Sequence, residues 1–233
     1  MYIALFNAEG FLFLLRWLHI LFGVVWIGHL YYFNFVQGAF FAEIDAGTKS
    51  TAIQKLVPKA LWWFRWGAMF TLITGSLILT GLYHQNPNFL VTSRGVLISL
   101  GSTLATLMWF NVWFVIWPAQ KMVIQSAVDV AAGKPAIAEA AARGARALVA
   151  SRTNVLFSIP MLFFMASSSH LPLVINPAAN LSILWGVMLV IFGLLQFNAM
   201  KGKTGPLTTV KGVIHMGLVF TIVLYALVEV LTK

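Results

Sequence analysis

The first hydrophobic stretch of the sequence contains polar residues that could ligate a metal or contact a cofactor. His19 and His29 lie in an apolar run that also contains Arg16 and Asn34. A polar side chain at membrane depth costs about 2.5–3.5 kcal/mol on insertion scales, so such residues usually face a protein interior or a bound group. Neutral imidazole is a common metal ligand and an axial ligand of haem iron. The two histidines are therefore the first candidates for a functional site.

Composition defines the environment of these histidines. The 233-residue chain is 60% hydrophobic and 9% charged, whereas soluble domains are about 25% charged. Its apolar runs predict membrane-spanning helices, and its N-terminus lacks the basic region and cleavage site of a signal peptide. The net charge of +9 is assigned to loops that orient the helices, and no nucleic-acid site is expected. Because cysteine is absent, disulfides, iron–sulfur clusters and covalently attached c-type haem are excluded.

Hydropathy predicts an all-α integral membrane protein with a single domain over residues 1–233. Six spanning helices are expected at 11–39, 61–83, 95–117, 153–171, 181–199 and 211–231. Lysine and arginine concentrate in the first, third and fifth loops, whereas the second contains only Arg94 and the fourth, 172–180, contains no charge. The positive-inside rule therefore predicts a multi-pass protein with N-out, C-out topology.

The third loop, 119–150, is the only long connection predicted. Its alanine-rich segments 119–132 and 136–150 have high helix propensity. Basic residues beside apolar ones suggest cytoplasmic helices that lie on the membrane surface, and a solvated helical hairpin is the alternative.

The predicted topology sorts the five histidines into an inner pair and an outer group. Counting about 1.5 Å per residue, His29 and His215 fall at a similar depth near the inner side. His19 falls toward the outer side, near the levels of His170 and His84. We expect His29 and His215 to ligate the iron of an inner b-type haem, and His19 with His170 or His84 to hold an outer haem.

A haem held in this way also needs cations near its propionates and small residues beside its macrocycle. Arg16 on the outer side and Arg65 on the inner side are the candidate cations. The candidate glycines are Gly23, Gly28, Gly75, Gly212 and Gly217. The alternative is that the histidines form interhelical hydrogen bonds and the glycines permit close helix packing.

A second group of polar residues is predicted at the cytoplasmic level of five helices. Its members are Asn34, Gln37, Arg65, Asn111, Asn154, Gln196 and Asn198. They could line a substrate or quinone pocket, but we favour interhelical hydrogen bonds, worth about 0.6 kcal/mol each. Nucleophilic catalysis, phosphate binding and compact zinc or copper sites have no motif in this sequence.

The first four predicted helices and the residues beside them contain four groups of motifs. They are Arg16-Trp-Leu-His19 with Trp26-Ile-Gly28 and Tyr32-Phe; Trp63-Phe-Arg-Trp66 with Gly75; Asn111-Val-Trp-Phe-Val-Ile-Trp-Pro118-Ala-Gln120-Lys121; and Ser151-Arg-Thr-Asn154 with Pro160-Met-Leu-Phe163 and Met165. With these motifs the chain resembles the membrane (N-terminal) domain of the bacterial membrane-bound urate oxidases, the PuuD family, in a short form without the cytochrome c domain.

The resemblance implies a membrane module that works with a c-type cytochrome or another redox partner. With the histidines, it favours an electron-transfer subunit that binds haem b and exchanges electrons with a c-type cytochrome or a quinone, as part of an oligomer or larger complex. One alternative is a non-catalytic scaffold subunit of a respiratory or photosynthetic complex. Another is a urate-oxidase-like enzyme that uses a separate cytochrome c. Whether the chain is itself an enzyme stays open; as one, it would be an oxidoreductase component.

Overall fold

The computed structural model describes residues 4–171 and 173–233. Residues 1–3 of the predicted domain and Pro172 of the predicted fourth loop lie outside the described residues. Within the described ranges the chain is helical without a strand, and six helices are long and apolar enough to cross a membrane. The predicted all-α class and the six spans are confirmed.

We number the helices α1 to α7 in chain order. Their bounds are α1 Ala8–Glu43, α2 Ala46–Lys55, α3 Val57–Gln85, α4 Ser93–Ala131, α5 Ala140–His170, α6 Leu181–Lys201 and α7 Val210–Leu231. Helix α2 lies in the first loop, and the other six are the spans. An even number of spans brings both chain ends to one face of the bundle, which we call the termini face. The opposite face carries the first, third and fifth loops, and we call it the basic face.

Several helices begin where a polar side chain accepts hydrogen bonds from the first turn. Asn7, Thr92 and Thr209 cap α1, α4 and α7 in this way, which satisfies main-chain N–H groups that lack a helical partner. Asp45 caps α2 and accepts from the main-chain N–H groups of Gly47 and Thr48. Together with the Thr48 hydroxyl, these bonds hold the pKa of the Asp45 carboxyl below its ordinary value.

Two spans each contain one π-helical turn near the basic face. The turns are Tyr32–Gln37 in α1 and Asn111–Ile116 in α4. Each contains a buried asparagine, Asn34 and Asn111 respectively. Such turns accommodate one extra residue in a helix and occur often at functional sites.

The predicted third loop is mostly helical and continues the spans on either side of it. Helix α4 runs on to Ala131, and α5 already begins at Ala140. The two extensions pack against each other, and the main-chain N–H of Ile137 donates to Ser126 Oγ at 3.0 Å. The two extensions therefore form a helical hairpin, and its position on the membrane surface or in solvent stays a prediction.

The spans form two closely packed pairs, α1 with α3 and α4 with α5. Helix α5 is central, because it also contacts α1, α6 and α7. The two pairs meet toward the basic face, where Tyr31 donates to Ser158 Oγ at 2.9 Å and Asn34 Nδ2 donates to Ser151 Oγ at 2.8 Å. Toward the termini face the pairs separate and leave a cavity between them.

Candidate functional site

The cavity between the two helix pairs has a volume of about 670 Å³, and we call it the cleft. This volume lies within the range of about 300–1,000 Å³ that is typical of small-molecule sites. Its walls come from α1, α3, α4 and α5. Most of the lining is apolar, and the polar residues toward the termini face are Arg16, His19, Ser76, Arg94, Ser168 and Ser169. The cleft therefore suits a flat or elongated apolar group with a polar end.

His19 is held in a defined tautomer on the cleft wall. Its Nδ1 lies 2.9 Å from the main-chain carbonyl of Thr71 and 3.2 Å from Thr74 Oγ1. A carbonyl can only accept, so Nδ1 carries a proton, and in the neutral imidazole Nε2 keeps its lone pair. The Thr74 hydroxyl donates to the Phe70 carbonyl at 2.7 Å, so its oxygen is free to accept from His19. A backbone bond of this kind is how proteins orient an imidazole that ligates a metal through Nε2.

Glycine on α3 makes room for the His19 ring. A Cβ atom at Gly75 would lie only 2.9 Å from His19 Cε1, closer than real side chains pack. On α1, Gly23 and Gly28 line the cleft, and a Cβ at either position would meet no atom within 4 Å. The cleft wall is therefore backbone at these two positions, and a planar group can approach it closely.

Two cations stand at the polar end of the cleft. Arg16 is half-buried, Arg94 is exposed, and both line the cavity. Neither forms an ion pair with any described residue. Guanidinium groups bind carboxylates in bidentate geometry, so this end is suited to an anionic substituent. Farther in, Trp26 is buried, and its indole N–H has no hydrogen-bond partner in the described part of the chain.

The other predicted outer ligands lie outside the cleft. His84 and His170 are exposed at the termini-face ends of α3 and α5, and neither lines the cavity. In the structure, His19 and Arg16 line the same cleft as residues of α5. No second histidine lines this cleft.

The described contacts do not bring the predicted inner pair together. His29 is half-buried on α1, and its Nδ1 donates to the Val25 carbonyl at 2.7 Å. His215 is exposed on α7. Helix α1 packs mainly on α3, whereas α7 packs mainly on α5. Haem ligation by this pair stays a prediction.

Arg65, the predicted inner cation, is engaged by aromatic rings. Its guanidinium lies 3.4 Å from the ring centre of Trp117 and 5.5 Å from that of Trp113. Nε donates to the Leu61 carbonyl at 3.2 Å. A cation held on two indoles stabilises the contact between α3 and α4, and Arg65 does not line the cleft.

Four of the predicted polar residues of the cytoplasmic level, Asn34, Asn111, Asn154 and Gln196, form hydrogen bonds between helices. Asn111 Nδ2 donates to Asn154 and to Gln196, and Asn154 donates to the Met108 carbonyl at 3.0 Å. All three amide side chains are buried. This network is the structural role that we favoured for these residues. Gln37 Oε1 has no hydrogen-bond partner among the described residues, and the Asn198 side chain bonds to Lys203 just after its own helix.

Sequence reasoning missed three groups of the cleft: Arg94, the Thr71–Thr74 hydrogen-bonding pair, and the methionines Met161 and Met165. Only Thr74 contributes a side chain to this contact, because Thr71 contributes its main-chain carbonyl, which any residue supplies. Met161 and Met165 belong to a motif of the family resemblance, but the sequence did not indicate them as cleft residues, because Met is also an ordinary core residue.

Together, the fold and the cleft define a polytopic helical membrane protein with a cofactor-sized site between two helix pairs. The family model described as urate oxidase N-terminal matches residues 88–226, more than half of the chain, and the chain belongs to this family. No curated protein and no solved structure matches it.

The family match confirms the predicted resemblance and extends it along the chain. It includes the motifs of α4 and α5 and continues through α6 into α7. The motifs of α1 and α3, including His19, precede the matched residues. The cleft therefore has one wall, α4 and α5, within the family match and one wall, α1 and α3, before it.

Proposed function

We propose that this chain is a membrane-embedded electron-transfer component that binds one b-type haem in the cleft through His19. The observation that carries the proposal is the tautomer of His19: its Nδ1–H is fixed by the Thr71 carbonyl, and its Nε2 accepts no hydrogen bond from the described residues. An imidazole prepared in this way inside an apolar cavity is the usual protein contribution to haem binding.

The other residues of the cleft fit the same group. Its volume and mostly apolar lining suit a macrocycle. Gly23 and Gly28 offer open backbone, and Arg16 with Arg94 would hold the propionates at the termini-face end. When bound, the haem supplies one-electron chemistry between its ferrous and ferric states. The chain contributes the imidazole, the charge pairing and the exclusion of water.

The position of the polar end suggests where electrons would leave. Arg16 and Arg94 lie near the termini face, so a haem edge held there would be accessible to a partner outside the bilayer. We propose a c-type cytochrome, or a quinone from the membrane, as that partner. The positive-inside rule supports assigning this face to the outside of the cytoplasm. We propose a bacterial inner membrane as the location, as the resemblance to the bacterial membrane-bound urate oxidases implies.

Urate oxidation is a second candidate function, and the family match favours it. In that case the chain would oxidise urate and pass the electrons to a separate cytochrome c. Urate-dependent reduction of added ferric cytochrome c, measured with the purified chain, tests this activity directly. A scaffold role without a cofactor is the outcome if neither haem nor this activity is found.

A spectroscopic experiment tests the haem proposal. The full chain is purified in detergent, and its reduced-minus-oxidised spectrum and haem content are measured. We expect a b-type spectrum with one haem that is lost in His19→Ala and retained in the matched control His84→Ala, since His84 lies outside the cleft. A flat Soret region in the wild-type chain, or full haem content in His19→Ala, would overturn the proposal.

A further inference from the structure

The cleft contains few side chains that can ligate iron besides His19. Among its lining residues these are the thioethers of Met161 and Met165, both on α5. The remaining histidines of the chain do not line it. Nitrogen from His and sulfur from Met are established axial ligands of haem iron, so a second protein ligand in this cavity would be one of the two methionines.

The two methionines lie on the wall that faces His19. His19 belongs to the α1–α3 pair, and Met161 and Met165 belong to the α4–α5 pair. The methyl end of Met165 lies beside Gly101 of α4, where a Cβ would be 3.4 Å away from Met165 Cε. His19 and Met165 would hold the haem from opposite walls of the cleft.

The register between α1 and α5 distinguishes Met165 from Met161. Counted from the contact of Tyr31 with Ser158, at about 1.5 Å per residue His19 lies about 8 Å from the level of Met165 and about 14 Å from that of Met161. Counted from the contact of Asn34 with Ser151, the same rise gives about 2 Å and about 8 Å. Both anchors place Met165 nearer to His19.

We propose that Met165 is the sixth ligand of the iron that His19 binds. This inference rests on the proposed function. It replaces the second histidine of the outer site, which the structure does not place in the cleft, by a thioether. A His–Met pair raises the reduction potential of a haem above that of a bis-histidine centre, which suits electron exchange with a c-type cytochrome. It would also tie the two helix pairs together across the cleft.

The test uses the purified full chain and reads the coordination of the iron. In the wild-type ferric protein we expect a low-spin spectrum and the near-infrared charge-transfer band of a methionine-ligated haem. In Met165→Leu we expect that band to disappear, the ferric iron to become high-spin, and the ferrous iron to bind carbon monoxide. Met161→Leu is the matched control and should retain the wild-type spectrum.

A second variant separates ligation from folding. Met165→His should restore a low-spin, six-coordinate spectrum without the thioether band, and its reduction potential should fall below the wild-type value. The inference is wrong if Met165→Leu keeps the thioether band and the low-spin state, or if Met161→Leu loses them instead. In those results the haem would still depend on His19, so the proposed function would stand. A wild-type chain without haem would overturn both.

Discussion

Asn111 and Gln196 hold each other through two reciprocal hydrogen bonds. Asn111 Nδ2 donates to Gln196 Oε1 at 3.0 Å, and Gln196 Nε2 donates to Asn111 Oδ1 at 2.7 Å. Asn154 completes the network from α5. Because the amides are buried, each needs a hydrogen-bond partner within the protein, and the other amides provide it. The network therefore stabilises the contacts among α4, α5 and α6.

Replacing either amide is expected to lower stability without affecting the cleft. Asn111→Leu and Gln196→Leu should each cost about 1–2 kcal/mol, since each leaves a buried amide unpaired. The double variant should cost less than the two together. Unfolding of the purified chain in detergent measures these free energies, with the exposed Gln125→Leu as control. Loss of haem with unchanged stability would contradict this role and indicate a ligand pocket.

Gly75→Ala is expected to lower haem content because the added methyl would collide with the His19 ring. The Cβ would lie 2.9 Å from Cε1, so the imidazole must shift, which we expect to weaken its hydrogen bond to the Thr71 carbonyl. Gly186→Ala on α6 is the matched control, because a Cβ there meets nothing within 4 Å and removing a helical glycine gains about 1 kcal/mol. Equal haem content in both variants would show that His19 is not the ligand.

The two predicted propionate cations should respond differently to substitution. Arg16→Gln should reduce haem affinity, because Arg16 lines the cleft. Arg65→Gln should leave haem content unchanged and lower stability by about 1–2 kcal/mol through loss of its contact with Trp117. Haem titration and thermal unfolding of both variants separate the effects. The opposite pattern would assign the propionates to the basic face.

The predicted inner haem has its own test. If His29 and His215 ligate one iron, His29→Ala and His215→Ala should each remove the same part of the haem spectrum and leave the His19-dependent part intact. If only the cleft binds haem, both variants should keep the wild-type content, and His29→Ala should show at most a small loss of thermal stability. Haem quantification and spectra of the purified variants distinguish these results.

The N-out, C-out orientation is open to a direct measurement. Fusions of alkaline phosphatase and of a cytoplasmic fluorescent reporter after Pro177 and within the third loop should give opposite signals. We expect phosphatase activity at Pro177, whose loop carries no charge, and fluorescence in the third loop. Strong fluorescence at Pro177 would contradict the predicted orientation and indicate the opposite topology.

Sequence patterns predicted the positions of the helices better than they predicted which helices pack together. The spans could be read from hydropathy, because about 20 apolar residues have few alternatives to a helix that crosses a membrane. Depth also grouped His19 correctly with the termini face. However, depth says nothing about which helices are neighbours. His29 and His215 share a predicted level, yet α1 and α7 have different principal partners.

The different roles of Arg16 and Arg65 also could not be predicted without knowing which helices are neighbours. Arg65 and Arg16 look alike in the sequence, since each lies in an aromatic stretch near one end of a span. Only the packing of α3 against α4 shows that Trp117 covers Arg65. Only the separation of the two helix pairs shows that Arg16 lines a cavity.

The π turns in α1 and α4 have a consequence for comparing this chain with its relatives. A relative with an ordinary α-helix at either place would have one residue fewer there, and its later residues would face about 100° away if the chains were aligned without a gap. The turns Tyr32–Gln37 and Asn111–Ile116 are therefore where a single-residue gap belongs. An alignment without this gap would pair membrane-facing positions with buried positions for the rest of the helix.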